Sequence, residues 1–267
     1  MRSALHVAIS RGTLYVQARV QSLERLLKFL ACLSIALSLA ACSSLPTDVA
    51  RTPSHALEHT PDTALARQLQ PLLRQNPGLS GFLTLDQGET AFAARVRLIE
   101  SAEFTIDAQY YIWHDDLTGR VLHNRLLAAA DRGVRVRLLL DDLDTAGKDE
   151  ILRHIDAHPN IEIRLFNPFA NREMRAGDFV ADTRRINQRM HNKTLTVDGL
   201  ATIFGGRNIG DEYFSATREL GFGDLDALGF GIRILSIFVP ESQLLKIPSC
   251  TRRNCVVGSA LTLRAIQ

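Results

Sequence analysis

His191-Asn192-Lys193-Thr194-Leu195-Thr196-Val197-Asp198-Gly199, followed by Gly205-Gly206-Arg207-Asn208, sets an imidazole, an ammonium, a carboxylate and a carboxamide around one short strand pair. Lys193 to Val197 and Ala201 to Phe204 read as the strands, with Asp198-Gly199 turning between them. Side chains alternate across a strand, so His191 and Lys193, at i and i+2, point to one face. That face carries a nucleophile or base beside a cation able to bind an anionic oxygen. The segment has no metal-ligand spacing, and the pattern calls for no cofactor. It points to metal-free work on a phosphate.

A lone His–Lys pair is ordinarily a solvated strand face, and a Gly-Gly ordinarily a turn. Here His-x-Lys-x4-Asp-x6-Gly-Gly-x-Asn fixes six residue types at set offsets. In that pattern the chain resembles the phospholipase D superfamily, and more closely its bacterial cardiolipin-synthase-like members. Phe104-Thr-Ile-Asp-Ala-Gln-Tyr-Tyr-Ile-Trp113, followed by His114-Asp-Asp, reads like their first strand and its exit loop. The resemblance covers residues 80 to 229.

The resemblance implies an α/β fold, a phospholipase D-like half-domain with a mostly parallel central sheet flanked by helices. It assigns His191 the role of nucleophile on phosphorus, or of its acid/base partner. Lys193 and Asn208 would hold the non-bridging oxygens as preorganised donors. Gly205 and Gly206 would let the backbone come close to the phosphate. Asp198 would order the site or a subunit interface by charge pairing, although a turn aspartate before glycine is an equal reading. Phosphodiester transfer needs two histidines, one attacking and one protonating the leaving alcohol. In the family they come from two motifs, or from two identical chains. No other His-x-Lys exists in this sequence; His114, His123, His154 and His158 all lack the lysine. Activity therefore calls for a homodimer or a missing C-terminal half.

Outward from the motif, the chain divides by composition. Residues 1–41 carry Arg2, Arg11, Arg19, Arg25 and Lys28 against Glu24, and an apolar run from Phe29 to Ala41 ends Leu39-Ala40-Ala41-Cys42-Ser43-Ser44. That is the layout of a bacterial lipoprotein signal peptide, with Cys42 the lipidated residue. The expected location is the bacterial cell envelope, membrane-anchored on the periplasmic side. Residues 42–80, with Pro46, Pro53, Pro61, Pro71 and Pro77, read as a tether with one short helix around Thr63 to Leu73. Residues 81–228 form the expected catalytic domain. They contain no cysteine, so that domain needs neither a disulfide nor a thiol metal site.

Residues 229–267 lose periodicity, turn basic and bring Cys250 and Cys255. They read as an aberrant or disordered tail, the product of a frameshift or premature end. A divergent terminus on a genuine single-motif protein is the rival account. The leader and the tail each carry a surplus of four positive charges, so the overall +2 hides a net −6 across residues 42–228. An acidic domain is poor at displacing counterions from nucleic acid. That weighs against a nuclease, and the resemblance implies a phospholipid substrate such as phosphatidylglycerol.

Within the domain the spacing predicts helices over 89–102, from an N-cap at Thr118 to Asp131, and over 148–158. Strands are predicted over 105–113, 134–140 and 161–166, a βαβαβ rhythm. Asp141-Asp142-Leu143-Asp144-Thr145 invites a haloacid-dehalogenase reading, but from Asp142 the threonine falls one position early; these acids cap the next segment or face the cleft. Tyr110, Tyr111 and Trp113 read as core or as an apolar rim for acyl chains, and Arg184 and Arg185 as a solvated loop rather than a contact to a phosphate head group. Three functions fit: a phosphatidyltransferase working through phosphohistidine, a homodimeric single-motif phosphodiesterase or nuclease, and an inactive lipoprotein remnant.

Overall fold

A computed structural model of the chain describes residues 19–35, 53–57, 62–172, 175–217 and 221–231. Cys42, the expected cleavage site and most of the expected tail (232–267) lie outside the described residues. Residues 19–35 form a helix, α1, and no helix among the described residues is long and apolar enough to cross a membrane. Then follow α2 (Ala64–Gln75), β1 (Gly81–Leu85), α3 (Gly88–Glu100), β2 (Thr105–Tyr110), α4 (Leu117–Asp131), β3 (Arg135–Asp141), α5 (Asp149–Asp156) and β4 (Ile161–Phe166). Two short helices, α6 (Arg175–Ala181) and α7 (Thr183–Ile186), lead to β5 (Lys193–Val197), β6 (Ala201–Gly205) and β7 (Asp226–Phe230).

One seven-stranded sheet runs β1-β7-β6-β5-β2-β3-β4, with helices packed against it. The α/β class is as expected, but the mostly parallel sheet is corrected. Only β2–β3 and β3–β4 are parallel. The pairs β2–β5, β5–β6, β6–β7 and β1–β7 are antiparallel. Right-handed helical crossovers impose parallel pairing only where a helix returns the chain to the same end of the sheet. After β4 the chain stays at one end, enters β5 beside β2 in the opposite sense, and then turns tightly into β6.

Packing explains which predicted positions turn inward. In α4 the apolar face Leu122, Leu126, Ala129 and Ala130 is buried, as its spacing requires. Its N-cap is Asp116 rather than Thr118: the Asp116 carboxylate accepts the Gly119 N–H at 2.9 Å. In α5 Leu152 and Ile155 point inward while Ile151 stays exposed. In α3 the buried positions are Gly88, Ala91, Arg95, Leu98 and Ile99, with Phe92 and Val96 at the margin.

Arg95 is the unexpected member. Its guanidinium is wholly buried and donates to Asp226 (2.9 Å), Tyr110 Oη (3.2 Å) and the Ala91 carbonyl (3.0 Å). Arg207 approaches the same carboxylate at 3.5 Å, so Asp226 at the head of β7 sits between two arginines. This ionic knot fastens β7, which lies between β1 and β6, to helix α3.

Candidate active site

The exit of β2 is where the motif assembles. The last β2–β5 pair is Tyr110 with Lys193, which puts Tyr111 and Ile112 beside the residues that precede β5. His191 is exposed, and its imidazole lies 5.1 Å from the Tyr111 ring, centre to centre. Lys193 is buried; its Nζ stands 5.3 Å over the same ring and donates to the His191 carbonyl at 3.0 Å. Burial pushes the Lys193 ammonium below its ordinary pKa, and the nearby Asp224 opposes the shift. The two side chains predicted to share a face thus meet one aromatic ring.

Asn208 comes to the same place from the other strand pair. Its Oδ1 accepts the Ile112 N–H at 3.1 Å and its Nδ2 donates to Tyr213 Oη at 3.0 Å. One carboxamide N–H is left for a ligand oxygen. Neighbouring bonds brace this junction: His114 N–H donates to the Ile209 carbonyl (2.9 Å), and Asp211 N–H donates to Asp116 (2.7 Å). The Asp211 carboxylate in turn accepts the Thr118 N–H at 2.8 Å.

Close packing gives Gly205 and Gly206 a reason of their own to be glycine. A Cβ on Gly205 would lie 2.3 Å from Asp226 Oδ1 and 2.4 Å from the Leu225 carbonyl. On Gly206 it would lie 2.3 Å from Asp224 Oδ1. The pair makes room for the approach to β7, and so for Asp224 beside Lys193. Spacing alone hides this, because the crowding comes from a strand that joins the sheet later in the chain.

Asp198 lies away from this assembly. It caps the far end of β5, five extended residues from Lys193 or about 17 Å. Its fully buried carboxylate accepts three backbone N–H groups, from Glu103 (3.0 Å), Phe104 (2.8 Å) and Thr105 (2.8 Å). Asp198 and Gly199 both have positive φ, the turn the dipeptide predicts. Asp198 therefore stands apart from the His191–Lys193 pair, where it locks the entry of β2 to the end of β5 through hydrogen bonds.

Asp224 and Tyr213 escaped the sequence reading. The charge of Asp224 acts on Lys193, and Tyr213 holds the Asn208 carboxamide. The signal for the first was present in Asp224-Leu-Asp226, two acids at i and i+2 opening a strand. Arg185, expected in solvent, instead donates to Asn167 Oδ1 (3.1 Å) and the Pro168 carbonyl (2.7 Å). Among the described residues one group, His114, Asp116 and Glu212, brings metal-type donor atoms within 4.8 Å of one another. Asp116 already spends its oxygens on the Gly119 and Asp211 N–H groups.

Residues 96–226 match the family described as cardiolipin synthase, PLD-like domain. Cardiolipin synthase C of Escherichia coli (strain K12) is 57% identical over 167 residues, covering 62% of this chain and 35% of the relative. Cardiolipin synthase A of Pseudomonas entomophila (strain L48) is 32% identical over 161 residues, 60% of this chain and 32% of the relative. Among solved structures, Nuc from Salmonella typhimurium, a phospholipase D family member, aligns with a TM-score of 0.42 at 17% identity over 60% of this chain and 90% of that one. The matched stretch, residues 96–226, is a phospholipase D-like domain of the cardiolipin-synthase type. The chain spans about a third of the length of the curated relatives it matches.

Proposed function

We propose that this chain supplies one half of a phosphatidyltransferase site that acts on phospholipids such as phosphatidylglycerol through a phosphohistidine at His191. The observation that carries the reading is the convergence of His191, Lys193 and Asn208 on two consecutive residues, Tyr111 and Ile112. An exposed imidazole there stands beside a buried ammonium and a carboxamide with one N–H to spare, which together suit a phosphodiester. In the first step an imidazole nitrogen of His191 attacks phosphorus. The P–N bond forms, the P–O bond to the leaving alcohol breaks, and a second imidazole gives that alkoxide its proton. In the second step the acceptor alcohol passes its proton to that imidazole, its oxygen attacks phosphorus, and the P–N bond breaks.

The second imidazole comes from a second copy of this chain or from a C-terminal half. Lipidation at Cys42, which the Leu39-Ala40-Ala41-Cys42 run supports, holds the assembly at the envelope membrane beside its substrate. Membrane anchoring and a net-acidic domain favour lipid over nucleic acid.

Product analysis with phosphatidylglycerol and with DNA tests the reading. A phosphatidyl-transfer product from the lipid is expected, lost in His191→Ala. Lys193→Ala should cost roughly 2.7–4 kcal/mol of transition-state stabilisation, as deletion of an oxyanion-hole donor does. Asn208→Ala should cost at least as much, because the Ile112 N–H also loses its acceptor. Cleavage of DNA with no lipid product would replace this reading by the single-motif nuclease. Full activity of His191→Ala would end it.

A further inference from the structure

Asp141 and Asp142, at the end of β3, take no part in the reaction above, yet they hold both ends of the segment that delivers His191. Asp142 accepts the Phe169 N–H at 2.7 Å and pairs with Arg172, fixing the start of the crossing from β4 to β5. The Asp141 carboxylate fixes its finish. Oδ2 accepts the Met190 N–H at 2.7 Å, and Oδ1 accepts Arg189 Nη1 at 3.0 Å and the Leu143 N–H at 2.9 Å. That side chain is fully buried. Arg189 is held in turn by the Asn167 carbonyl at 2.9 Å and lies over the Phe169 ring.

The β5 ladder begins only at Lys193, paired with Tyr110, so the sheet does not orient His191. Two bonds bracket the nucleophile instead: Asp141 to the N–H of the preceding residue, and Lys193 Nζ to the carbonyl of His191 itself. We infer that Asp141 is the positioning residue for His191, setting the direction in which the imidazole leaves the backbone toward Tyr111. The inference rests on the reading of His191 as the nucleophile. It explains why consecutive buried acids stand at this strand end: one side chain secures each end of the crossing.

Asp141→Asn tests it. The carboxamide keeps one acceptor oxygen but turns an N–H toward the Met190 N–H or Arg189, donor against donor. Histidine-ring NMR of the whole chain, with His191 assigned from His191→Gln, gives a readout independent of turnover. The Tyr111 ring at 5.1 Å shields the imidazole, so displacement moves its signal. The His191 signal is expected to move in Asp141→Asn. It should stay in place in Asp107→Asn, which removes the partner of Arg137 from the other face of β2.

In an assembly that turns over lipid, kcat should fall on the order of 10–100-fold with KM held within about twofold, the mark of lost positioning. An unmoved His191 signal in folded Asp141→Asn protein overturns the inference, whatever the turnover. Should that variant not fold, Arg189→Gln carries the same test, and an unmoved signal there overturns it equally. A moved signal in Asp141→Asn, when no wild-type assembly turns over lipid, leaves the role of Asp141 standing and rejects the phosphohistidine reading instead.

Discussion

His123 stacks on the Trp113 indole at 4.6 Å, nearly parallel, with both ring nitrogens buried and without a hydrogen-bond partner. Burial lowers its pKa from 6.5 to about 4. A basic group with a depressed folded pKa stays neutral in the fold while the unfolded chain takes up the proton. Stability is therefore full above pH 6.5 and falls as the pH drops from 6.5 towards 4. Between pH 7 and pH 5 this one residue should remove about 2 kcal/mol. Thermal melts at the two pH values check it: His123→Phe should lose less stability on acidification than the wild type, and an equal loss would assign the sensitivity elsewhere. None of this was legible in the sequence, where His123 entered only as a histidine lacking a lysine two residues on. His191 and Lys193 were legible because alternation on a strand is local. Arg95 was not, because its burial depends on Asp226, 131 positions away.

At the scale of elements, the antiparallel β2–β5 pair carries the site at one end and its lock at the other. Asp198→Ala removes the acceptor of three backbone N–H groups at the start of β2. At roughly 1–3 kcal/mol for each donor left dry, the loss should reach about 3 kcal/mol or more. Asp198→Asn keeps an acceptor oxygen and tolerates the positive φ, so it should lose distinctly less. Urea unfolding measures both, and turnover in both should follow the folded fraction. Stable Asp198→Asn protein with abolished turnover would return this residue to the chemistry. The strands β2, β3 and β4 were legible from their branched and aromatic runs, and the β5–β6 turn from Asp198-Gly199. β1 and β7 were not: Gly81-Phe-Leu-Thr-Leu85 and Asp226-Ala-Leu-Gly-Phe230 are short and mix faces, and they become strands through pairing, β7 between β6 and β1, and β1 on β7.

For the whole molecule, the class of fold followed from the βαβαβ rhythm, whereas strand direction beyond β4 depended on where the chain re-enters the sheet. That re-entry brings the motif against the exit of β2 and makes the antiparallel half of the sheet the carrier of the chemistry. The central claim is that His191 becomes covalently phosphorylated while an alcohol is exchanged. The direct measurement is to quench an active assembly of this chain, during turnover of phosphatidylglycerol, into alkali, where phosphohistidine survives. Mass spectrometry of the peptide that contains His191 then locates the adduct. A phosphatidyl or phosphoryl adduct on His191, present in the wild type and missing from His191→Gln, is the predicted result. Product formed at the normal rate with His191 unmodified, or an adduct on another residue that survives His191→Gln, would contradict the account.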